Sequence, residues 1–160
     1  MSLINGLPAH VLLVHFVVVL VPLTALALTV GAVWPSAAKR MGIVLPALAL
    51  VTLVSVPLTK ESGEWLEQHV DGNELVRRHA ELADGLLPWV GGLFVLALAV
   101  WWAVRRAGSA ETSRSADRFA MPLRAATVAL SLVVSVGAVV DVYRIGDSGA
   151  KAAWNDSFSK

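Results

Sequence analysis

VLLVHFVVVLVPLTALALTVGAV, residues Val11–Val33, runs for 23 residues without a single Asp, Glu, Lys or Arg. As a helix, about 20 such residues rise about 30 Å, which is the thickness of a bilayer's hydrocarbon core. Three further runs follow: Met41–Leu58, Leu86–Val104, and Ala125–Val140 with its flanks. The sequence therefore predicts an all-α, integral membrane four-helix bundle, one domain over residues 1–160, with spans at about 11–33, 41–58, 86–104 and 122–142. The leader Met1–Leu7 has no Lys or Arg, and the first run is longer than a signal-peptide core, so it is expected to remain in the mature protein.

Composition agrees. Of 160 residues, 56% are hydrophobic and 16% charged, against about 25% charged in soluble domains. A formal charge of +1 with no basic stripe among aromatics gives no case for nucleic acid. Cysteine is absent, which excludes disulfides, thiol nucleophiles, thiolate metal sites and protein-ligated iron–sulfur clusters.

Four crossings put both termini on one side. The opposite side carries Lys39, Arg40, Arg105, Arg106, Arg114, Arg118 and Arg124, offset only by Glu111 and Asp117. The side holding the termini also holds the acid-rich segment Glu61–Asp84. Basic residues in short loops stay cytoplasmic, so the termini are expected to face outward from a cytoplasmic membrane. Trp34, Trp101 and Trp102 mark the inner rim, and Trp65, Trp89 and Tyr143 the outer one, as amphipathic rings at the two headgroup zones.

Helix one is expected to begin near Pro8, a residue tolerated in a first turn. Pro22, Pro46 and Pro57 are read as interruptions that kink their helices. Thr127, Ser131 and Ser135, with Gly137 and Ala138 beyond, form a small-residue stripe on helix four that allows close packing. Between helices two and three, Glu64–Val70 continues helix two, Asp71-Gly72-Asn73 signals a turn, and Leu75, His79, Leu82 and Leu86 recur at helical spacing from about Glu74. This predicts a short helical hairpin extension on the outer face.

All four histidines lie at that same outer end: His10, His15, His69 and His79. His10 and His15 are five residues apart, a rotation of about 140°, so a straight helix cannot aim both at one small ion. His79 occupies an apolar stripe and is expected to point inward. Ionisable groups at membrane depth usually face an interior or a partner, and imidazole ligates both metal ions and haem iron. For a haem b held by two facing helices, His15 with His79 is the chosen pair. For a divalent metal, the candidate ligands are His10, His69 or His79 with Asp141 or Asp147. The plainer use of these rings is hydrogen bonding to a carbonyl or carboxylate. Gly146-Asp147-Ser148-Gly149 matches the letters around a serine-protease nucleophile, but that chemistry needs a positioned His–Asp pair on a different architecture. It is read as a turn before a short tail ending near Trp154.

Gly6-Leu7-Pro8-Ala9-His10, followed by Val14-His15-Phe16, resembles the opening of a bacterial membrane family known as domain of unknown function 2231. Members typically read Gly-Leu-Pro-Ala-His-Pro-x-x-Val-His-Phe-Pro there. The likeness continues at Arg78-His79-Ala80-Glu81 and at Gly146-Asp147-Ser148-Gly149-Ala150 with Trp154. Val11 and Val17 replace the expected prolines, and Asp147 stands where relatives often carry histidine. The resemblance implies a four-helix bacterial inner-membrane protein without an assigned activity. Some relatives are joined to Rieske-type iron–sulfur domains, which implies a respiratory or redox setting.

Two readings follow. In the first, the chain is a non-enzymatic membrane component, packed in lipid, that meets a membrane-protein partner or further copies of itself. In the second, it is a redox or metal-binding membrane protein with a haem b or metal site at the outer mouth of the bundle. Transport has less support, because no charge lies at the bilayer centre and no Gly-rich unwound stretch breaks a helix there.

Overall fold

The computed structural model describes residues 3–4, 7–67, 74–107 and 117–154. A two-residue antiparallel pair, β1 (Leu3–Ile4) with β2 (Leu7–Pro8), precedes six helices. These are α1 (Ala9–Val33), α2 (Pro35–Met41), α3 (Val44–Glu67), α4 (Glu74–Asp84), α5 (Leu86–Ala107) and α6 (Asp117–Trp154). The four long helices, α1, α3, α5 and α6, are the four expected spans. Each lies within or overlaps a stretch long and apolar enough to cross a membrane.

Local chemistry explains the joints. Trp34 is extended, Pro35 opens α2 where its missing N–H costs nothing, and Gly42 closes it with φ 51° while donating to Ala38 O at 2.9 Å. Lys39 and Arg40 occupy the last turn of α2, against the negative end of its dipole. Pro46 falls in the first turn of α3 rather than interrupting it, since α3 starts only at Val44. Pro22 and Pro57 are internal prolines as expected, and Pro122 is a third.

The core follows one rule. Buried positions recur at steps of three and four: Leu86, Val90, Leu93, Ala97 and Val100 on α5, and Ser131, Ser135, Ala138 and Val142 on α6. On α1 such a row is Val17, Val21, Thr24, Leu28 and Ala32, widened by Leu20 and Ala25, and on α3 it is Leu45, Ala49, Thr52, Val56 and Thr59, widened by Ser55. That spacing keeps one narrow seam on each helix facing its neighbours. α1 is central and packs against α3, α5 and α6.

Since lipid tails are as apolar as Leu, the contacts between helices rest on close approach and on hydroxyls. Thr24 and Thr52 share a hydrogen bond of 2.7 Å between α1 and α3, with both side chains buried. Ser135 donates to Ala25 O at 3.1 Å and accepts from Thr29 at 3.2 Å, joining α6 to α1. The ring of Trp89 on α5 lies directly over Gly137, where a Cβ would collide with it. The small-residue stripe of α6 thus meets both α1 and α5. Outside this seam the helices present Val19, Leu26, Val95, Leu123, Val133 and many other apolar side chains to their surroundings.

Two expectations change. The stretch Gly146–Gly149 is not a turn but part of α6, which runs on to Trp154. Ser148 returns its hydroxyl to Ile145 O at 2.8 Å, and Lys151 pairs with Asp147 at 2.6 Å one turn away, so the polar letters are satisfied within the helix. The other concerns helix three, which starts at Glu74 as expected but breaks at Gly85, leaving α4 as a separate element that packs mainly on α6.

Candidate functional site

Four elements meet at the end of the bundle that holds the start of α1. α1 brings His10, α3 brings Thr59 and Gly63, α4 brings His79, and α6 brings Ile145, Ser148 and Gly149. The rings of His10 and His79 stand crosswise, with centroids 6.4 Å apart and planes at 86°. Both side chains are half-buried.

Each ring is tied by the same nitrogen. His10 Nδ1 lies 3.1 Å from Thr59 O, and His79 Nδ1 lies 3.1 Å from Ile145 O and 2.9 Å from Ser148 Oγ. A carbonyl only accepts, so in each case Nδ1 carries the hydrogen and donates it. The neutral ring then has its lone pair on Nε2. Nε2 of neither ring makes a hydrogen bond among the described residues.

Each ring is also seated on a glycine. A Cβ at Gly63 would stand 2.9 Å from Cε1 of His10, and one at Gly149 would stand 3.1 Å from Cε1 of His79. A side chain at Gly63 would displace the ring of His10, and one at Gly149 would crowd that of His79.

The other expected ligands lie elsewhere. His15 is exposed on α1, and it is the ring of His10 that meets His79. His69 lies outside the described residues. Asp147 faces Lys151. Asp141 sits beside Gly85 at the joint of α4 and α5; its Oδ2 is buried and has no hydrogen-bond partner among the described residues. No group of three or more His, Cys, Asp or Glu is close enough to hold a metal ion among the described residues. Thr59 and Gly63 were not singled out from the sequence, and Gly149 only within the tetrapeptide Gly146–Gly149. Their signal was phase: each continues the three-and-four spacing of the buried seam on its helix.

At the opposite end, Arg105 stacks on Trp101 at 5.3 Å and Arg106 on Trp102 at 3.5 Å, while Arg124 donates to Val33 O at 3.3 Å. These rings and cations form the basic rim read from the sequence.

A four-helix protein of apolar spans with a polar mouth at one end is the class this geometry defines. The chain belongs to the family described as predicted membrane protein (DUF2231), whose model matches residues 6–159. No curated protein and no solved structure matches it.

Proposed function

We infer that the chain is a non-enzymatic, multi-pass component of a bacterial cytoplasmic membrane that holds a ligand at its histidine mouth. The observation that carries this is the pair of imidazoles, each fixed through Nδ1 to a backbone carbonyl and each leaving Nε2 uncommitted. Rings fixed in this way each present one preset lone pair at Nε2 for binding.

The mouth faces outward in this reading, with both termini. Support comes from the opposite rim, where Arg105 and Arg106 stack on Trp101 and Trp102, Arg124 reaches Val33 O, and Lys39 and Arg40 end α2. α3 beyond Lys60 and α4 together make the outer extension, tied by Lys60, which bridges Asp84 at 2.7 Å and Glu64 at 3.7 Å. That extension is the surface offered to a membrane-protein partner or a further copy of the chain.

The absence of cysteine makes the orientation directly testable. Ala150→Cys, on exposed α6 near the mouth, is expected to react with a membrane-impermeant maleimide in intact cells. Ser36→Cys, exposed on α2, is expected to react only after the cells are opened. The reverse pattern would put the mouth in the cytoplasm. Crosslinking in membranes tests the component reading separately, since a chain recovered only as a monomer without any partner contradicts it.

A further inference from the structure

We propose that His10 and His79 are the two protein ligands of one metal centre, each through its Nε2. This rests on the reading of the mouth as a binding site and specifies what is bound there.

Geometry gives the first argument. Metal–imidazole bonds of about 2.0–2.1 Å place two imidazole centroids roughly 6 Å apart when they stand on opposite sides of one atom, and roughly 5 Å apart at a tetrahedral centre. The observed 6.4 Å matches the opposed arrangement. Ligand supply gives the second. Two imidazoles with no third His, Cys, Asp or Glu in reach among the described residues do not complete a structural zinc site, which takes four protein ligands. They do complete a centre that asks the protein for two nitrogens in opposition. Haem iron is one, with its macrocycle filling the equatorial positions. Singly charged copper is the other, since it accepts two ligands in a line and imidazole suits copper. Calcium and magnesium, which take oxygen ligands, are excluded by the donor set.

Preorganisation gives the third. A metal-ligating histidine almost always donates its other ring N–H to a carbonyl, carboxylate or water, which fixes the tautomer and the ring's direction. Both rings meet this requirement, His10 at Thr59 O and His79 at Ile145 O with Ser148. Gly63 and Gly149 add a wall against the Nδ1–Cε1 edge of each ring, so they are positioning residues. A pair of histidines serving only as helix glue would need the carbonyl bond but not an uncommitted Nε2 on each of two neighbouring rings. The charge balance also favours these two centres, because bare copper brings a single positive charge to two neutral ligands at the membrane edge, and a haem brings its own compensating carboxylates.

The test uses the full chain purified in mild detergent from cells supplied with haem precursor and copper. Bound haem is read by the absorption spectrum before and after dithionite, and bound copper by elemental analysis. About one centre per chain is expected. A Soret band with sharpened α and β bands on reduction identifies haem; colourless stoichiometric copper identifies the ion. His10→Ala and His79→Ala are each expected to lose the centre, while His15→Ala keeps it. Gly149→Ala, with an unchanged helical circular-dichroism spectrum, is expected to bind roughly ten-fold more weakly by displacing the ring of His79. Should His10→Ala or His79→Ala fail to fold, titration of the unaltered chain with haemin and with copper(I) against a chelator decides alone. No binding of either overturns the proposal and, if the mouth also fails to label from outside, the reading of an outward mouth with it. Full occupancy in both His10→Ala and His79→Ala overturns the ligand assignment.

Discussion

Thr24 and Thr52 show what a single polar contact does between two apolar helices. Both hydroxyls are buried, and Thr52 also donates to Leu48 O at 2.9 Å, so it shares one hydrogen with its own helix and accepts another from Thr24. Removing either hydroxyl leaves the other with a backbone partner or none, which makes the single substitutions hard to read and the coupling informative. In a double-mutant cycle of Thr24→Val and Thr52→Val, the coupling energy is expected to be about 0.6–1 kcal/mol, the size found for hydroxyl pairs within membranes. Detergent unfolding monitored by circular dichroism measures it, and a coupling indistinguishable from zero would mean the contact does not hold α1 to α3. The same scale explains His10 and His79. Neither identity alone marks a ligand. What marks them is that Nδ1 of each is spent on a carbonyl.

Between elements, the closest approach is where α5 lays Trp89 across Gly137 of α6. Gly137→Val is expected to lower stability by about 1–3 kcal/mol, the range for overfilling a packed site, because a ring flanked by two helices has nowhere to turn. A thermal melt in detergent reads the loss, and an unchanged melting temperature would mean that α5 and α6 are not in contact there. Much at this scale was legible in the sequence. The four long helices announce themselves, because a run of 20 apolar residues has few alternatives to crossing a membrane. The small-residue stripe on α6 was legible as a packing face, but not its partners, since Ser135 chooses α1 and Gly137 chooses α5 through tertiary contact alone. The helical course of α6 through Gly146–Gly149 was not legible. Two glycines and an aspartate favour a turn locally, and only the seat they make for His79 and the Asp147–Lys151 pair favour the helix.

For the whole molecule, the histidine mouth is the last layer of the core. Extending the seam of α1 back by seven from Val17 reaches His10, whereas His15 falls off it. His79 stands on α4, beyond the break at Gly85. Adding three and four to Val142 gives Ile145 and Gly149, and four beyond Thr59 comes Gly63. The repeats of α1, α3 and α6, read outward from the membrane centre, therefore reach His10, Thr59, Gly63, Ile145 and Gly149, while His79 joins them from α4 through Ile145 O and Ser148. Along the seam apolar side chains alternate with the buried hydroxyls of Thr24, Thr52, Ser131 and Ser135, and at this one layer two imidazoles are added.

Nitrogen-15 NMR of the histidine side chains in the full detergent-solubilised chain tests this layer most directly. Before any addition, His10 and His79 are expected each to show a proton on Nδ1 held by a backbone carbonyl. On titration with copper(I), or with reduced haemin if that is the centre the chain carries, the Nε2 signals of these two rings are expected to move together and to stop moving at one equivalent, while His15 stays where it was. Movement of His15 in place of His10, or two rings that respond at different equivalents, would contradict a single centre held between His10 and His79.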